Sequence, residues 1–233
     1  MSKIIGILGG MGPMATVDLF KKIIENTPAS KDQEHLRIII DNNPKIPSRV
    51  EALLHGGRNP LPFLMESARL LEKAGADFII MPCNTAHFWI DELRAAVKIP
   101  VYSMIENAAV EISLNYGNSS GKIILLATAP TVKLGIYQRV FDKYNIQLLN
   151  PTEEEQEIVS ATIEQVKAGR ITDNPFLKYL EQILYGYENR GIEACIGGCT
   201  EIPLIFPYLN VKLKKIDPTL LLAKMAVREA LKD

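Results

Sequence analysis

Two segments of this 233-residue chain repeat one short pattern, and that repeat constrains the fold more than any other feature. Gly75-Ala-Asp-Phe-Ile-Ile-Met-Pro-Cys83 and Gly191-Ile-Glu-Ala-Cys-Ile-Gly-Gly-Cys199 each run from a glycine through an apolar stretch to a cysteine eight residues on. Polar residues follow both, Asn84-Thr85 in one copy and Thr200-Glu201 in the other, and each copy leads on to a short strand pattern at 99–103 and 213–217. Lys3-Ile-Ile-Gly-Ile-Leu and Lys122-Ile-Ile-Leu-Leu-Ala open the two halves, 80 and 77 residues ahead of their cysteines. A duplicated α/β unit with one thiol per copy accounts for these matches. It predicts two thiols facing each other across a pseudo-twofold cleft, an arrangement suited to chemistry that treats both faces of one carbon alike.

Short β-branched apolar runs alternate with longer segments of helical period, the pattern of βαβ units and a parallel sheet. The strand candidates are 3–8, 36–41, 78–81, 101–103, 123–127, 146–149, 194–197 and 213–216, apolar on both faces as strands covered by helices are. Helices are expected over 14–26, 61–73, 91–97, 105–115, 134–144, 153–168, 175–189 and 218–231. Pro13 and Pro218 stand where a first-turn proline is tolerated, Asp217 is placed to cap, and Gly169 follows a helix end. The fold class is therefore α/β, with two pseudo-symmetric domains, each a four-stranded parallel sheet flanked by helices, and an active site in the cleft between them. Residues 1–104 with 211–233 form the expected first domain, carrying Cys83, and 105–210 the second, carrying Cys199. Ligands of open α/β sheets sit at the carboxyl ends of strands. Both cysteines are expected there, as are Gly9–Gly12, Asn42-Asn43 and Thr128–Thr131.

A formal net charge of −1 gives no electrostatic reason for a nucleic-acid or anionic-membrane partner. Three cysteines make no disulfide framework, which points to a reducing cytoplasm. The apolar run after Lys3 is read as a buried first strand rather than a signal peptide, and no stretch reaches the length of a membrane span.

A free cysteine is ordinarily a small buried hydrophobe, and Cys195, in mid-strand, fits that description. Cys83 and Cys199 each end a strand before a helix start, where a thiolate is favoured. Zinc is a weaker alternative, since His35, His55 and His87 make no ligand pattern with the cysteines, and a disulfide is a third. Gly10-x-Gly12-x-x-Ala15 formally matches a dinucleotide fingerprint. Against this, Pro13 removes an N–H where a pyrophosphate would sit, and Asp41 lies too far along the chain. A tight loop through Met11 and Gly12 that lets a small anionic substrate approach the backbone fits better. Arg49, in the stiff loop after the second strand, is either a solvated side chain or a bidentate carboxylate clamp. By position alone Lys167 complements a helix dipole, and His87 supports a helix start rather than acting as a base.

On these residues the chain resembles the aspartate branch of the cofactor-independent aspartate/glutamate racemase family. The carrying motifs are Gly6-Ile-Leu-Gly-Gly-Met-Gly-Pro13, Asn42-Asn-Pro-x-Ile-Pro-x-Arg49, Gly75 through His87, Pro151-Thr-Glu-x-Glu155 and Gly198-Cys-Thr-Glu201. The resemblance implies two similar α/β domains with the active site between them, a homodimer, no cofactor, no metal and a small acidic amino acid as substrate. It implies that Cys83 and Cys199 are the acid/base thiols, Cys199 serving the L face and Cys83 the D face. It makes Asn84, Thr85 and Thr200 donors to the α-carboxylate, Arg49 the side-chain carboxylate recogniser and Lys167 a substrate-binding lysine. Glutamate racemases carry Asp-Ser after the first strand and a His two residues after the second cysteine. Here Met11 and Glu201 stand at the corresponding positions, which argues against strict glutamate specificity. A broad-specificity, glutamate or hydantoin racemase, a maleate-isomerase-like relative, and a metabolite-binding protein with structural cysteines stay open as alternatives.

Overall fold

A computed structural model of the chain describes residues 2–116 and 122–232. The elements of the first half are β1 (Ile5–Gly9), α1 (Pro13–Asn26), β2 (Ile38–Asn42), α2 (Arg49–Leu54), α3 (Leu61–Lys73), β3 (Phe78–Ile80), α4 (Ile90–Ala96) and β4 (Val101–Tyr102). Helix α5 (Met104–Tyr116) carries the chain onward. Then come β5 (Ile123–Ala127), α6 (Ala129–Lys133), α7 (Gln138–Phe141), β6 (Leu148–Leu149), α8 (Glu153–Lys167), α9 (Leu177–Asn189), β7 (Ala194–Gly198), α10 (Ile202–Ile205), β8 (Lys214–Ile216) and α11 (Pro218–Leu231). Two parallel four-stranded sheets result, ordered β2-β1-β3-β4 and β6-β5-β7-β8. The orders are the same once four is added to each strand number, so the duplication seen in the sequence is a duplication of topology.

The chain divides into two compact units, 1–108 with 219–233 and 109–218. The first unit alternates its strand side chains between two packed clusters, as the period of two requires. Ile5, Ile7, Phe78 and Ile80 pack with Leu19 and Ile23 of α1 and Leu222 and Ala226 of α11. Leu8 and Ile79 pack instead with Leu64 and Leu71 of α3 and Leu93 of α4. In the second unit Ile124, Leu126 and Cys195 pack with Val159 and Ile163 of α8, Leu180 and Leu184 of α9, and Ile202 of α10. The strands β1 and β5, hydrogen-bonded on both sides, are buried along their whole length, whereas β2 at a sheet edge is partly exposed. Among the described residues, no helix is long and apolar enough to cross a membrane.

Three local expectations are corrected. Residues 211–218 fall in the second unit, not the first, because β8 pairs with β7 through Cys195↔Lys215 and Ile196↔Ile216, and residues 105–108 of α5 fall in the first, not the second. The helix expected over 134–144 is absent as one piece. Gly135, at φ +60°, takes a conformation that continues no right-handed helix, and α6 and α7 stand on either side of it. Arg49 is not in a loop: it is the first residue of α2, whose N-cap Ser48 accepts from the Glu51 N–H.

Candidate active site

In each sheet the chain reverses its winding between the first and third strands of the half, so the loops after β1 and β3, and those after β5 and β7, flank a topological switch point.

In the first unit the loop after β1 is braced from within. Gly10 has φ +92°, and a Cβ there would fall 2.3 Å from the Asn43 backbone, so the space freed by this glycine is occupied by the neighbouring loop rather than by a ligand. Its N–H donates to Thr16 Oγ1 at 2.9 Å. Gly12 is the N-cap of α1 and Pro13 its first residue, the first-turn place expected of that proline. The Met11 side chain lies in the same packed cluster as Cys83, Leu8 and Ile46. What Met11 offers to polar chemistry is its carbonyl, which accepts from Arg49 Nη2 at 3.4 Å. Arg49 Nη1 donates to the carbonyls of Ile46 (3.3 Å) and Pro47 (3.0 Å). Three of the five guanidinium N–H donors therefore fix the head group against two loops at the carboxyl edge of the sheet.

Cys83 lies three residues beyond β3, not directly after it, and its N–H closes a tight turn onto the Met81 carbonyl at 2.9 Å. The thiol is buried, as are Asn84 and Thr85, and Thr85 opens a 3₁₀ turn through Trp89 that runs into α4. His87 ties this turn to the next element. The Met104 N–H donates to His87 Nε2 at 3.0 Å, so Nε2 is an acceptor and the ring proton resides on Nδ1, which donates to the Cys83 carbonyl at 2.8 Å. Burial pulls the imidazole pKa down to about 4, the nearby Glu106 and Arg94 acting in opposite directions. A neutral histidine with both nitrogens engaged is a strut, as expected from its position, rather than a base.

In the second unit Cys199 directly follows β7. Its Sγ–H donates to Glu201 Oε2 at 2.9 Å, and Thr200 Oγ1 donates to the same oxygen at 3.2 Å. All three side chains are buried. Burial, and then the Glu201 carboxyl, push the Cys199 thiol well above the ordinary range, while Lys167 acts in the opposite sense. Lys167, exposed at the end of α8, thus lies close enough for its charge to be felt at the thiol. Tyr137, fully buried ahead of α7, is raised by burial and by the charges of Cys199 and Asp217. At the carboxyl end of β5, Thr128 and Thr131 join hydroxyls at 2.9 Å. Cys195, fully buried in the core, is pushed up to about 12 by burial and is not a reactive thiol.

Glu201 belongs to the Gly198-Cys-Thr-Glu201 motif and stands where glutamate racemases carry His, but position alone assigns it no role. Its contact with Cys199 depends on how the chain turns between β7 and α10. Conversely, Pro151-Thr-Glu-x-Glu155 is a capping box. Thr152 accepts from the Glu155 N–H at 3.3 Å, and Glu155 accepts from the Thr152 N–H at 2.9 Å, which accounts for that motif structurally.

Each repeated sheet thus carries one buried thiol beyond an equivalent strand. The sequence profile of the Asp/Glu/hydantoin racemase family matches residues 8–226. The chain belongs to this family. A solved Picrophilus torridus aspartate racemase is 34% identical, with a TM-score of 0.86, covering 99% of this chain and 95% of that one. The broad specificity amino-acid racemase RacX of Bacillus subtilis (strain 168) is 29% identical over 227 residues, 96% of each chain. The glutamate racemase of Persephonella marina is 30% identical over 161 residues, which span 64% of this chain and 58% of that protein. As a member of the Asp/Glu/hydantoin racemase family the protein is an isomerase, and its two four-stranded parallel sheets are those of the two-domain racemase fold.

Proposed function

We propose that the protein racemises aspartate without pyridoxal phosphate, with Cys83 and Cys199 as paired acid and base. One observation carries this reading: the two free thiols follow topologically equivalent strands, β3 and β7, of a repeated sheet. Racemisation removes the α-proton from one face and returns a proton to the other. A thiolate takes the Cα–H proton, the electron pair spreads into the α-carboxylate as an enediolate, and the second thiol gives its proton to the opposite face of Cα. The two sulfurs end with their protonation states exchanged. Reacting atoms must come within about 3–3.5 Å, so this chemistry requires the sulfurs to stand about 7 Å apart around the substrate carbon. The α-proton is far less acidic than a thiol, and fixed donors on the developing enediolate must lower the barrier. Asn84, Thr85 and the backbone N–H of Thr200, whose hydroxyl is held by Glu201, are assigned that role, with the backbone at Met11 and Gly12 beside the substrate. Arg49 is assigned the side-chain carboxylate, and Lys167 supplies a second cation. Three free thiols agree with work in a reducing cytoplasm, and the resemblance to the family supports a homodimer.

Aspartate is favoured by the near full-length likeness to an aspartate racemase and by Arg49, whose two remaining N–H donors suit a carboxylate. A second reading, broad specificity, is favoured by the equally extensive likeness to RacX. Chiral analysis after incubation with L-aspartate, L-glutamate and L-alanine, without added cofactor, separates the two. Aspartate racemised far faster than alanine supports the first, and comparable rates support the second. In the same assay Cys83→Ser and Cys199→Ser each abolish turnover while Cys195→Ser retains most of it. Near-normal turnover in either of the first two variants would refute the two-thiol mechanism.

A further inference from the structure

Glu201 is a buried carboxyl group in contact with one of the two thiols, and none of the roles above uses it. Its Oε2 receives both the Cys199 Sγ–H at 2.9 Å and the Thr200 hydroxyl at 3.2 Å. The backbone places it there. Cys199 ends the strand, its carbonyl accepts from the Ile202 N–H at 3.0 Å, and Glu201 becomes the N-cap residue of α10 with its side chain turned back toward the sulfur. The other charged or titratable groups acting at this point are Lys167 at the end of α8, Tyr137 ahead of α7 and, through Tyr137, Asp217 after β8.

We propose that Glu201 is a positioning residue for Cys199: its carboxylate holds the Sγ–H in one orientation and keeps this thiol the protonated member of the pair until it reacts. The proposal rests on the two-thiol reading and deepens it by assigning the resting protonation state. Burial and the Glu201 charge both favour the thiol over the thiolate, while Lys167 moderates the effect. When Cys199 gives its proton to the substrate carbon, the S–H electron pair stays on sulfur. The new thiolate then faces a carboxylate, which makes it a stronger base and returns it readily to the thiol. Glu201 thus makes the two thiols, equivalent in topology, unequal in their hydrogen-bonding partners.

The test follows alkylation of each cysteine by iodoacetamide against pH, resolved by mass spectrometry, in the wild-type chain and in Glu201→Gln. The amide is nearly isosteric, removes the charge and can donate to a thiolate. One unit of downward shift in the Cys199 profile is about a tenfold rise in thiolate fraction below its pKa. Glu201→Gln is therefore expected to raise Cys199 alkylation at pH 7.5 by about tenfold or more, with the Cys83 profile unchanged. An unchanged Cys199 profile overturns the proposal, since a merely structural glutamate would leave thiol ionisation where it was. Should Glu201→Gln fold poorly, Glu201→Ala removes the same charge and is expected to shift Cys199 the same way. Running racemisation of aspartate in parallel keeps the two claims apart. A shifted profile supports Glu201 whatever that assay returns, and absence of turnover in the wild type counts against the aspartate reading alone.

Discussion

His87 makes a quantitative prediction about stability. Its imidazole is 4% exposed, accepts from the Met104 N–H and donates to the Cys83 carbonyl, so the folded state holds it neutral. Burial lowers its pKa from 6.5 to about 4. The unfolded chain therefore binds a proton between these values while the folded chain does not. The corresponding stability is fully present above about pH 6.5 and is lost as the pH falls toward 4. With these two pKa values the loss is roughly 0.4 kcal/mol at pH 6.5, about 1.4 kcal/mol at pH 5.5 and about 3 kcal/mol at pH 4. Replacing the side chain by His87→Gln costs stability at pH 7.5, because Cys83 and Met104 lose their partner. It also removes this titration, so the variant loses about 1.4 kcal/mol less than the wild type between pH 7.5 and 5.5. Urea unfolding at pH 7.5, 6.5 and 5.5 measures both slopes under conditions where most carboxylates stay ionised. Parallel declines for the two proteins would show that His87 titrates normally, and the assignment of its tautomer and its role as a strut would fall with it.

Arg49 yields a prediction about selectivity. Losing a charge-assisted pair in a desolvated site costs about 2–5 kcal/mol, so Arg49→Ala is expected to lower kcat/KM for aspartate at least about 30-fold and leave any activity on alanine nearly unchanged. Equal losses on both substrates would mean that Arg49 serves only to brace the Met11 loop through its carbonyl contacts. Arg49→Lys is also costly for aspartate, because an ammonium cannot reproduce the planar fork. At the start of α8, Thr152→Ala breaks the capping box and costs about 1 kcal/mol in urea unfolding, with kcat/KM unaffected. A matching loss of activity would show that the Pro151–Glu155 segment does more than start a helix.

The architecture was readable from the sequence because it is written in signals of short range. Buried runs such as Ile123–Ala127 announce central strands, and the Gly-to-Cys repeat announces the duplication. The final helix packs on the first sheet, Leu222 and Ala226 against Ile5 and Ile7. Other features depended on geometry that no local pattern carries. The break at Gly135 lay inside a stretch of good helical period, and the six-residue helix opened by Arg49 was hidden in a segment rich in proline. Likewise, the membership of β8 was decided by pairing across the sheet with β7. The sequence places both thiols at strand ends, which holds for Cys199, whereas Cys83 stands three residues beyond β3 after a tight turn. The contact between Cys199 and Glu201 was not legible, because a glutamate two residues from a cysteine reaches it only if the turn folds back. Met11 was legible as part of the loop after the first strand, but its side chain belongs to the core and its carbonyl meets Arg49.

The central claim, two thiols acting on opposite faces of one carbon, is tested most directly by racemisation of L-aspartate in deuterated water at low conversion. Product and recovered substrate are separated on a chiral column and weighed by mass spectrometry. The two-thiol account predicts D-aspartate carrying one deuterium at Cα from the first turnovers, with the recovered L-aspartate still almost entirely protiated. Deuterium entering the recovered L-aspartate as fast as D-aspartate forms would mean a single base returning protons to both faces, and would contradict the account.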